Sequence, residues 1–376
     1  MTAGLQAAIL DRFLAARVRD GRMPGVSWWV ESGSGAVSRG QSGFAVVEPR
    51  SEPVERGTPF DLASLTKPLC TALLLVLLEQ EGELRLEAPV QDYLPSWRES
   101  FYRESSLLAL ATHTSGMPAW RPLYLQPPAR LPVYLDRIGR ERPVSRPGEV
   151  LYSDLGYIVL QAVLESVTGR GLDQLFAERV ARPLGLRRTG FATGGAEFSD
   201  SAASERGNEF ERSLAGAEGS DYAWPGNILR GVPHDGNARA LGGVSGHAGL
   251  FGTADDLAVL AREILFPRRL PLGARARERL LRADPGHGGR SVGLVMAARA
   301  KAARGILPDD APGHTGFTGT SIWLELETKS FFLLLTNRVH PRVPVTGFDG
   351  VRRGFHRAAV RNAGHASSHY NDSDAP

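Results

Sequence analysis

Strand-like segments lie at both ends of this chain, and the long stretch between them has mainly helical patterns. Near the start, residues 25–47 are rich in β-branched and aromatic side chains around a Ser-Gly-Ser-Gly turn. Similar runs return near the other end, at 291–297, 314–325 and 330–337. Because a sheet must bury a face against other elements, we predict an α+β fold. One antiparallel sheet is built from both termini and flanked by helices, with a helical domain inserted into it.

This pattern also predicts the domain organisation. Residues 1–62 and 288–363 are expected to form a discontinuous sheet domain, which includes amphipathic helices at 2–20 and 347–362. Residues 63–287 are expected to form the inserted, mainly helical domain. The small, polar residues 364–376 are expected to form a flexible tail.

Several elements of the insertion can be predicted from local signals. An apolar helix is expected to begin near Ser64, to be buried and to end at Gly82. Further helices are expected at 154–167, at 172–180 before Pro183, and at 257–265 after a capping box at Thr253. The glycine-rich residues 195–245 show no clear element.

Composition excludes several classes of protein. The one cysteine, Cys70, rules out an intrachain disulfide or a cysteine-built metal site, and its leucine-rich surroundings favour a buried thiol. The longest apolar stretch, 69–78, is shorter than the roughly 20 residues that a bilayer span needs. The first residues lack the pattern of a signal peptide. Arginine runs at 275–279 and 352–361 have the spacing of solvated helix faces. We expect a cytoplasmic protein, or a periplasmic or secreted one if the start is truncated, with no membrane or nucleic-acid partner.

The candidate for chemistry is a Ser-x-x-Lys motif at Ser64 and Lys67. Residues three apart share a helix face, so the lysine amine can reach the serine oxygen. A serine hydroxyl needs an adjacent base to become a nucleophile, and lysine can serve where arginine cannot, because arginine does not deprotonate in proteins. Only three of the 44 basic residues are lysines, and one of them stands here. Pro68 fits only near a helix start, which places Ser64 at the positive end of the helix dipole.

Eight sequence blocks, the first of which contains the Ser-x-x-Lys motif, carry a resemblance to a known superfamily. They are FDLASLTK (60–67), LATHTSGMP (110–118), YSDLGYIVL (152–160), RPLGL (182–186), PHDGNA (233–238), GHAGLFGTADDLA (246–258), GHTGFTGTS (313–321) and LLTNRVHP (334–341). With these blocks in this order, the chain resembles the serine β-lactamase and penicillin-binding protein superfamily. It is most similar to the AmpC-like branch that includes family VIII esterases and D-aminopeptidase-like hydrolases.

The resemblance implies a β-lactamase/transpeptidase-like fold and a serine acyl-enzyme cycle. Ser64 would be the nucleophile, and Lys67 would be its base or proton relay. Tyr152 matches the tyrosine of the Tyr-x-Asn motif, which moves a proton to the leaving group and activates the deacylating water. The backbone N–H groups of Ser64 and Phe317, the latter following His-Thr-Gly316, would form the oxyanion hole.

Two positions depart from the pattern of the superfamily. Asp154 stands where asparagine is usual; an ionised carboxylate would raise the pKa of Lys67 and cannot donate a hydrogen bond to a substrate carbonyl. His314 occupies the lysine position of Lys-Thr-Gly, where it would hydrogen-bond Tyr152 or orient an anionic substrate group. Because histidine is not a permanent cation, recognition of a β-lactam carboxylate should be weaker and pH-dependent. Both changes favour ester hydrolysis over β-lactam or amide hydrolysis.

One other motif could in principle carry a nucleophilic serine. Gly289 to Gly293 fits the Gly-x-Ser-x-Gly nucleophile elbow around Ser291, but a strand-like run follows it where the elbow needs a helix.

Several histidines and tryptophans lie in predicted loops. Because His113, His234 and His247 lie in separate loops, we expect no metal site. His113 is expected to support the site, while His234 and His247 order loops of the cleft or contact substrate. Trp120 and Trp224 are candidates for the wall of the pocket.

The sequence therefore predicts a cofactor-free serine hydrolase whose active site lies between the two domains. Its expected substrates are small esters, amides or β-lactams, with small acyl esters first. The alternatives are a DD-peptidase or D-aminopeptidase-like hydrolase, or a non-turnover binding or sensor protein that acylates slowly. The sequence predicts no oligomeric state.

Overall fold

The computed structural model describes residues 3–193, 197–344 and 347–362. The α-helices are α1 Ala3–Arg19, α2 Leu73–Glu81, α3 Leu107–Ala111, α4 Leu131–Arg140, α5 Asp154–Thr168, α6 Leu172–Phe176, α7 Arg182–Leu184, α8 Glu209–Ala215, α9 Gly236–Ala240, α10 Ala254–Leu265, α11 Ala274–Leu281 and α12 Asp349–Asn362. The strands are β1 Gly25–Glu31, β2 Val37–Val46, β3 Glu52–Pro53, β4 Phe60–Asp61, β5 Gly190–Phe191, β6 Leu250–Gly252, β7 Val295–Met296, β8 Pro312–Thr315, β9 Ser321–Glu325 and β10 Ser330–Thr336.

The main sheet confirms the predicted fold class. Its seven strands run in the order β3-β2-β1-β10-β9-β8-β7, so strands from the two ends of the chain meet where β1 pairs antiparallel with β10. Consecutive side chains point to opposite faces. Trp28 accordingly packs in one core with the terminal helices α1 and α12, and Trp29 packs in another with the helices of the middle region. Both faces are covered, which is why β1 is buried throughout.

The segment that carries the Ser-x-x-Lys motif is the central helix of the protein. Residues Ala63–Glu81 form one run of 19 residues that begins with a 3-10 turn and a π-helical turn and continues as α2. Its mean hydropathy of 1.2 and its length would suit a membrane span, but 83% of it is buried inside the protein, as in the core helix of a globular fold. It ends at Gly82, whose φ of 80° is the left-handed conformation that glycine adopts without strain. The expectation of a buried helix is confirmed.

A small second sheet was not predicted. Strands β4, β6 and β5 form it in that order, and each has two or three residues, too few for a hydrophobic period to be visible in the sequence. It matters for function because β4 ends two residues before Ala63 and fixes the entry into the central helix.

Several boundaries differ from the sequence prediction. The predicted strand 291–297 contains only the short strand β7, and the run 314–325 is divided into β8 and β9 by a turn. The helix after residue 172 passes Pro183 and ends at Gly185, because Pro183 lies in the first turn of α7, where a missing N–H is tolerated. Residues 197–245 contain the short helices α8 and α9.

Two predictions about the domain organisation of the chain stay predictions. The tail at 364–376 lies outside the described residues. The division into domains at 62/63 and 287/288 stays a prediction.

Candidate active site

The backbone before Ser64 is held in an unusual conformation. Ala63 has a φ of 47°, in the left-handed region that non-glycine residues rarely adopt. The carboxylate of Asp61 accepts the Ala63 N–H at 2.9 Å and stabilises this turn. Ser64 follows within the 3-10 turn Ala63–Leu65, at the start of the central helix. Strain of this kind persists only where the surroundings over-determine it, and it is often found at functional sites.

Asp61 connects this turn to two other segments. Its second oxygen accepts the His234 N–H at 2.8 Å, and its backbone carbonyl accepts the Thr318 hydroxyl at 2.8 Å. The side chain is buried, and burial raises the pKa of Asp61, although the two backbone donors oppose this. Asp61 therefore fixes Ser64, the loop at 233–236 and the turn after β8 relative to one another.

We expect Asp61→Asn to lower both stability and activity. An asparagine oxygen can accept one of the two backbone N–H groups, and its NH₂ then faces the other donor. A buried unsatisfied donor costs about 1–3 kcal/mol, so the free energy of unfolding should fall by that amount in urea titrations. Activity should fall as well because Ala63 is released. Asp20→Asn, at an exposed position, is the control; equal stability of the two variants would contradict this role of Asp61.

Lys67 is fully buried, and polar groups surround its amine, including the Tyr152 hydroxyl. Its Nζ lies 3.0 Å from Ser64 Oγ, 3.0 Å from the carbonyl oxygen of His247 and 2.6 Å from Asp154 Oδ1. The ion pair with Asp154 lies within the cleft, since Asp154 at the start of α5 also lines it.

The charge of Lys67 is decided by two opposing effects. Burial lowers the pKa of Lys67, but the negative charge of Asp154, supported by Tyr152, raises it by more, so the pKa of Lys67 stands above its ordinary value. This is the effect that the sequence predicted for Asp154. The resting lysine is therefore an ammonium, and the neutral amine that can take the serine proton is a minor form at neutral pH.

Tyr152 completes the group around Ser64. Its hydroxyl has Lys67 and Ser64 as hydrogen-bond partners. Burial raises the pKa of Tyr152, although the charge of Lys67 opposes this, so the phenol is neutral at physiological pH. Its ring lies 4.5 Å from the ring of His113, centroid to centroid. The His113 Nδ1 accepts the Ser153 N–H at 3.0 Å, so this histidine supports Tyr152 from behind.

The peptide between Gly316 and Phe317 is held in place by two arginine side chains. The guanidinium of Arg352 binds the Gly316 carbonyl at 2.5 Å, and that of Arg338 binds the Phe317 carbonyl at 2.8 Å. In a trans peptide the N–H points away from the carbonyl of the same unit. Arg352 therefore fixes the direction of the Phe317 N–H by holding Gly316. This backbone comes so close to the nucleophile's turn that a Cβ on Gly316 would lie 2.7 Å from the Leu62 carbonyl oxygen.

His314 differs from its prediction. Its Nδ1 donates to the Thr315 carbonyl at 2.9 Å, and its ring lies 5.9 Å from that of Tyr152, whose hydroxyl is turned to Ser64 and Lys67. Burial and the charges of Lys67 and Arg290 hold the pKa of His314 well below its ordinary value. Among the described residues no hydrogen bond joins His314 to Tyr152, whose hydroxyl is engaged with Ser64 and Lys67. The neutral imidazole supplies no positive charge, and its alternative role in orienting an anionic substrate group stays a prediction.

These residues surround one cleft of about 620 Å³. The predicted site residues that line it are Ser64, Tyr152, Asp154, His314, Gly316 and Phe317, with Lys67 directly behind Ser64. Trp120 also lines the cleft, as expected. Trp224 does not; it packs edge-on against Tyr124. Ser291 is buried and donates to the Leu280 carbonyl at 2.6 Å, so it has no access to a substrate.

The histidines of the neighbouring loops hold backbone in place. His247 lies between Ser245 Oγ at 2.8 Å and Asp235 Oδ1 at 2.9 Å, and its carbonyl is the one that contacts Lys67. His234 contacts Glu205 at 2.9 Å and stacks on Phe317. Within the described ranges, no group of three or more His, Cys, Asp or Glu side chains could hold a metal ion.

Three residues of the site could not be recognised from the sequence. Asp61 lies in the block FDLASLTK, whose pattern assigns it no role, and Arg290 lies in the Gly-x-Ser-x-Gly segment but lines the cleft. Arg352 was assigned to a solvated helix face, yet it is 7% exposed and braces Gly316. That assignment was wrong because helical spacing shows which residues share a face, whereas what the face contacts depends on the tertiary fold.

Comparison with known proteins finds relatives that carry the names of hydrolases. The family model described as Beta-lactamase matches residues 10–352. A Bacillus subtilis protein named N-acetylmuramyl-L-alanine amidase is 27% identical over 91% of this chain and 79% of its own length. A putative D-alanyl-D-alanine carboxypeptidase of Escherichia coli K12 is 31% identical over 76% of this chain and 70% of its own length. The solved structure of EstCE1, a hydrolase with promiscuous acyltransferase activity, superposes with a TM-score of 0.70 at 23% identity, over 96% of this chain and 98% of that one.

Proposed function

This chain belongs to the beta-lactamase family of serine hydrolases, and from that premise we propose that it prefers small acyl esters, which it hydrolyses through an acyl-enzyme on Ser64. The observation that carries the proposal is the contact of 3.0 Å between Lys67 Nζ and Ser64 Oγ in a cleft that Tyr152 and the Phe317 peptide also line. A nucleophile, a base and an oxyanion donor are the parts that acyl transfer requires.

The contacts suggest an order of proton transfers. When Lys67 is in its neutral form, it takes the proton of Ser64 as the serine oxygen attacks the substrate carbonyl. The negative oxygen that develops is held by the N–H groups of Ser64 and Phe317. Tyr152, within reach of both Ser64 and Lys67, passes the proton to the leaving group. Water then attacks the acyl-enzyme through the same groups in reverse and regenerates Ser64.

The preference for esters rests on two features of the cleft. Asp154 is an acceptor and cannot donate to the carbonyl of an acyl-amide substrate, as an asparagine could. It also keeps Lys67 mostly protonated, so the active base is scarce. Esters have better leaving groups than amides and depend less on proton transfer to the leaving group. The scarcity of neutral Lys67 should therefore slow ester hydrolysis least.

Hydrolysis of p-nitrophenyl acetate and butyrate tests the proposal. We expect steady turnover in the native protein and none above the buffer rate in Ser64→Ala, while Ser291→Ala retains activity. A single burst equal to the enzyme concentration would favour a sensor that acylates without turnover. Activity that survives Ser64→Ala and disappears in Ser291→Ala would overturn the proposal.

A second candidate function is supported by the relatives. Several of them are named putative D-alanyl-D-alanine carboxypeptidases, including the Escherichia coli protein that is 31% identical. This function predicts release of D-alanine from a peptide that ends in D-Ala-D-Ala. If kcat/KM for that peptide exceeds the value for the p-nitrophenyl esters, the carboxypeptidase function replaces the ester preference.

We expect Asp154→Asn to increase the rate on amides and β-lactams by roughly 10-fold. Without the carboxylate, the burial of Lys67 is no longer offset, so its pKa falls and more of the neutral base is present at pH 7. Because the neutral form is the active one, activity rises with pH through the pKa of Lys67, and the variant should reach its plateau at lower pH than the native enzyme. The measurement is the pH profile of kcat/KM for both proteins. Lower rates in the variant at every pH would mean that the carboxylate is itself needed as a proton acceptor.

A further inference from the structure

Helix α8 covers one side of the cleft. Phe210 and Leu214 of this helix line the cavity that contains Ser64, and the Phe210 ring lies 4.8 Å from the ring of Phe317, centroid to centroid. Leu214 is 56% exposed although it is apolar. The position of α8 therefore decides how widely the cleft is open on this side.

Both ends of α8 have backbone conformations that suit a hinge. Before the helix, Gly207 and Asn208 have φ values of 69° and 51°, and after it Gly216 has a φ of 53°. Glycine adopts this left-handed region without strain. The Asn208 side chain is buried, and within the described part of the chain neither its oxygen nor its nitrogen has a hydrogen-bond partner. A short helix between such flanks can open locally at low cost.

Glu211 anchors α8 to the segment that precedes α9. Its Oε1 accepts the Gly236 N–H at 2.9 Å. Its Oε2 lies so close to the same glycine that a Cβ on Gly236 would be 2.3 Å from this oxygen and 2.5 Å from Cε1 of Tyr124. The Glu211 side chain is 5% exposed. Opening of α8 would therefore move its carboxyl group from the protein interior into water.

A second carboxylate lies beside Glu211. Asp235 directly precedes Gly236 and also lines the cleft. Its Oδ1 contacts the His247 ring at 2.9 Å and accepts the Ala238 N–H at 2.8 Å, so its position is fixed. The closed position of α8 thus places one buried carboxyl group against another.

The other titratable and charged groups around Glu211 are His234, Glu205, Arg239, Tyr124, Tyr134 and Tyr222. The histidine ring contacts Glu205 at 2.9 Å, and the guanidinium of Arg239 binds two backbone carbonyl oxygens. Burial raises the pKa of Tyr124 and of Tyr134, so these phenols stay neutral. Among the described residues, no lysine or arginine lies within ion-pair distance of Glu211.

Two neighbouring carboxyl groups in a buried site cannot both ionise without a large cost. Burial raises the pKa of Glu211 to about 7, and the charge of Asp235 adds to this, while His234 and the Gly236 N–H oppose it. Burial also acts to raise the pKa of Asp235, but the charge and the hydrogen bond of His247 lower it by more, so the pKa of Asp235 stands well below its ordinary value. Asp235 is therefore the ionised member of the pair, and Glu211 is the one that holds a proton.

We propose that α8 is a pH-sensitive lid, which is closed over the cleft while Glu211 is protonated and is released when Glu211 ionises beside Asp235. The regulatory role of the lid rests on the proposed function, because the lid controls access to that cleft, whereas its movement does not. In water the pKa of Glu211 returns to its ordinary value of 4.5. Closure therefore weakens as the pH rises above about 4.5, by up to about tenfold per pH unit, and the weakening is complete above about pH 7.

Hydrogen–deuterium exchange of the native protein between pH 5 and pH 8 tests the movement without any substrate. After correction for the intrinsic exchange rate at each pH, we expect exchange of the α8 amides to rise by about 3- to 10-fold per pH unit up to about pH 7 and then to level off. The amides of α10 should show no such rise. Exchange of α8 that does not depend on pH, or an equal rise in α10, would overturn the proposal.

Two glutamate-to-glutamine variants of the same helix provide the matched comparison. Glu211→Gln keeps an acceptor oxygen for the Gly236 N–H and cannot ionise, so its corrected exchange should stay at the low native value at every pH. Glu209→Gln makes the same change at an exposed position and should keep the native pH dependence. A pH dependence that persists in Glu211→Gln would overturn the proposal. If that variant does not fold, Asp235→Asn removes the repelling charge, and the rise should then end at lower pH than in the native protein; an unchanged end point would contradict the lid.

Ester hydrolysis separates the lid from the proposed function. The ratio of kcat/KM for p-nitrophenyl octanoate to that for the acetate cancels the ionisation of Lys67, which both substrates share. We expect this ratio to rise about 3- to 10-fold between pH 5 and pH 7 in the native protein and to stay constant in Glu211→Gln. A constant ratio in the native protein would overturn the control of access by α8. Absence of hydrolysis of both esters, with pH-dependent exchange retained, would overturn the proposed function alone.

Discussion

Replacing Lys67 by arginine is expected to reduce kcat/KM for ester hydrolysis by roughly 10³-fold or more, although the positive charge beside Asp154 is kept. If Lys67 is the base, it must first lose a proton and then take one from Ser64 Oγ, which lies 3.0 Å away. A guanidinium does not deprotonate in proteins and therefore cannot do either. A role for Lys67 as a fixed positive charge predicts the opposite result, since arginine would fill that role.

The measurement is the rate of acylation by a p-nitrophenyl ester in single-turnover experiments. Lys301→Arg is the matched control, because it makes the same change at an exposed residue that lines the same cleft. Circular dichroism and thermal unfolding would show that the buried site tolerates the larger side chain. A folded Lys67→Arg variant that is acylated within tenfold of the native rate would contradict a base at this position.

Replacing Tyr152 by phenylalanine is expected to lower kcat by about 10²- to 10³-fold. The ring and its contact with His113, 4.5 Å between centroids, are preserved. The hydroxyl that contacts Ser64 and Lys67 is lost, so no group remains to pass the proton to the leaving group. The loss should be larger for substrates with poor leaving groups, such as ethyl esters, than for p-nitrophenyl esters, whose leaving group needs no proton.

Tyr157→Phe provides the matched control for this change. Tyr157 is buried against the same histidine, at 5.2 Å, and its hydroxyl donates to the Ala111 carbonyl at 2.8 Å, away from the nucleophile. We expect its removal to cost about 1 kcal/mol of stability and to change kcat by less than threefold. If the two variants lose activity equally, Tyr152 acts through the structure and not through its proton.

The fold could be predicted because its main signals are local. The β-branched and aromatic runs near both termini predicted a sheet that both ends of the chain build, and β1 does pair with β10. The burial of the central helix followed from its all-round apolar character. The small sheet of β4, β6 and β5 could not be predicted, since strands of two or three residues have no period and depend on contacts distant in sequence.

The residues of the site that lie within sequence motifs could be predicted. Ser64 and Lys67 are three residues apart on one helix, so their proximity follows from helix geometry. The resemblance brought Tyr152, Asp154 and Phe317 to the same cleft, and the effect of Asp154 on Lys67 followed from charge alone.

The tertiary environment of individual polar residues could not be predicted from the sequence. The low pKa of His314 depends on its burial, and the role of Arg352 depends on a carbonyl that lies 36 residues away in sequence. The spacing of residues in the sequence does not show which of them become buried.

Mass spectrometry after exposure to a fluorophosphonate tests the central claim most directly, because it reports both whether a nucleophile is activated and which residue it is. We expect one phosphonyl adduct per chain, located on the peptide that contains Ser64, and no adduct in Ser64→Ala. Labelling should become far slower in Lys67→Arg. An adduct on Ser291 or on any other residue, or no adduct on a folded protein, would contradict the account.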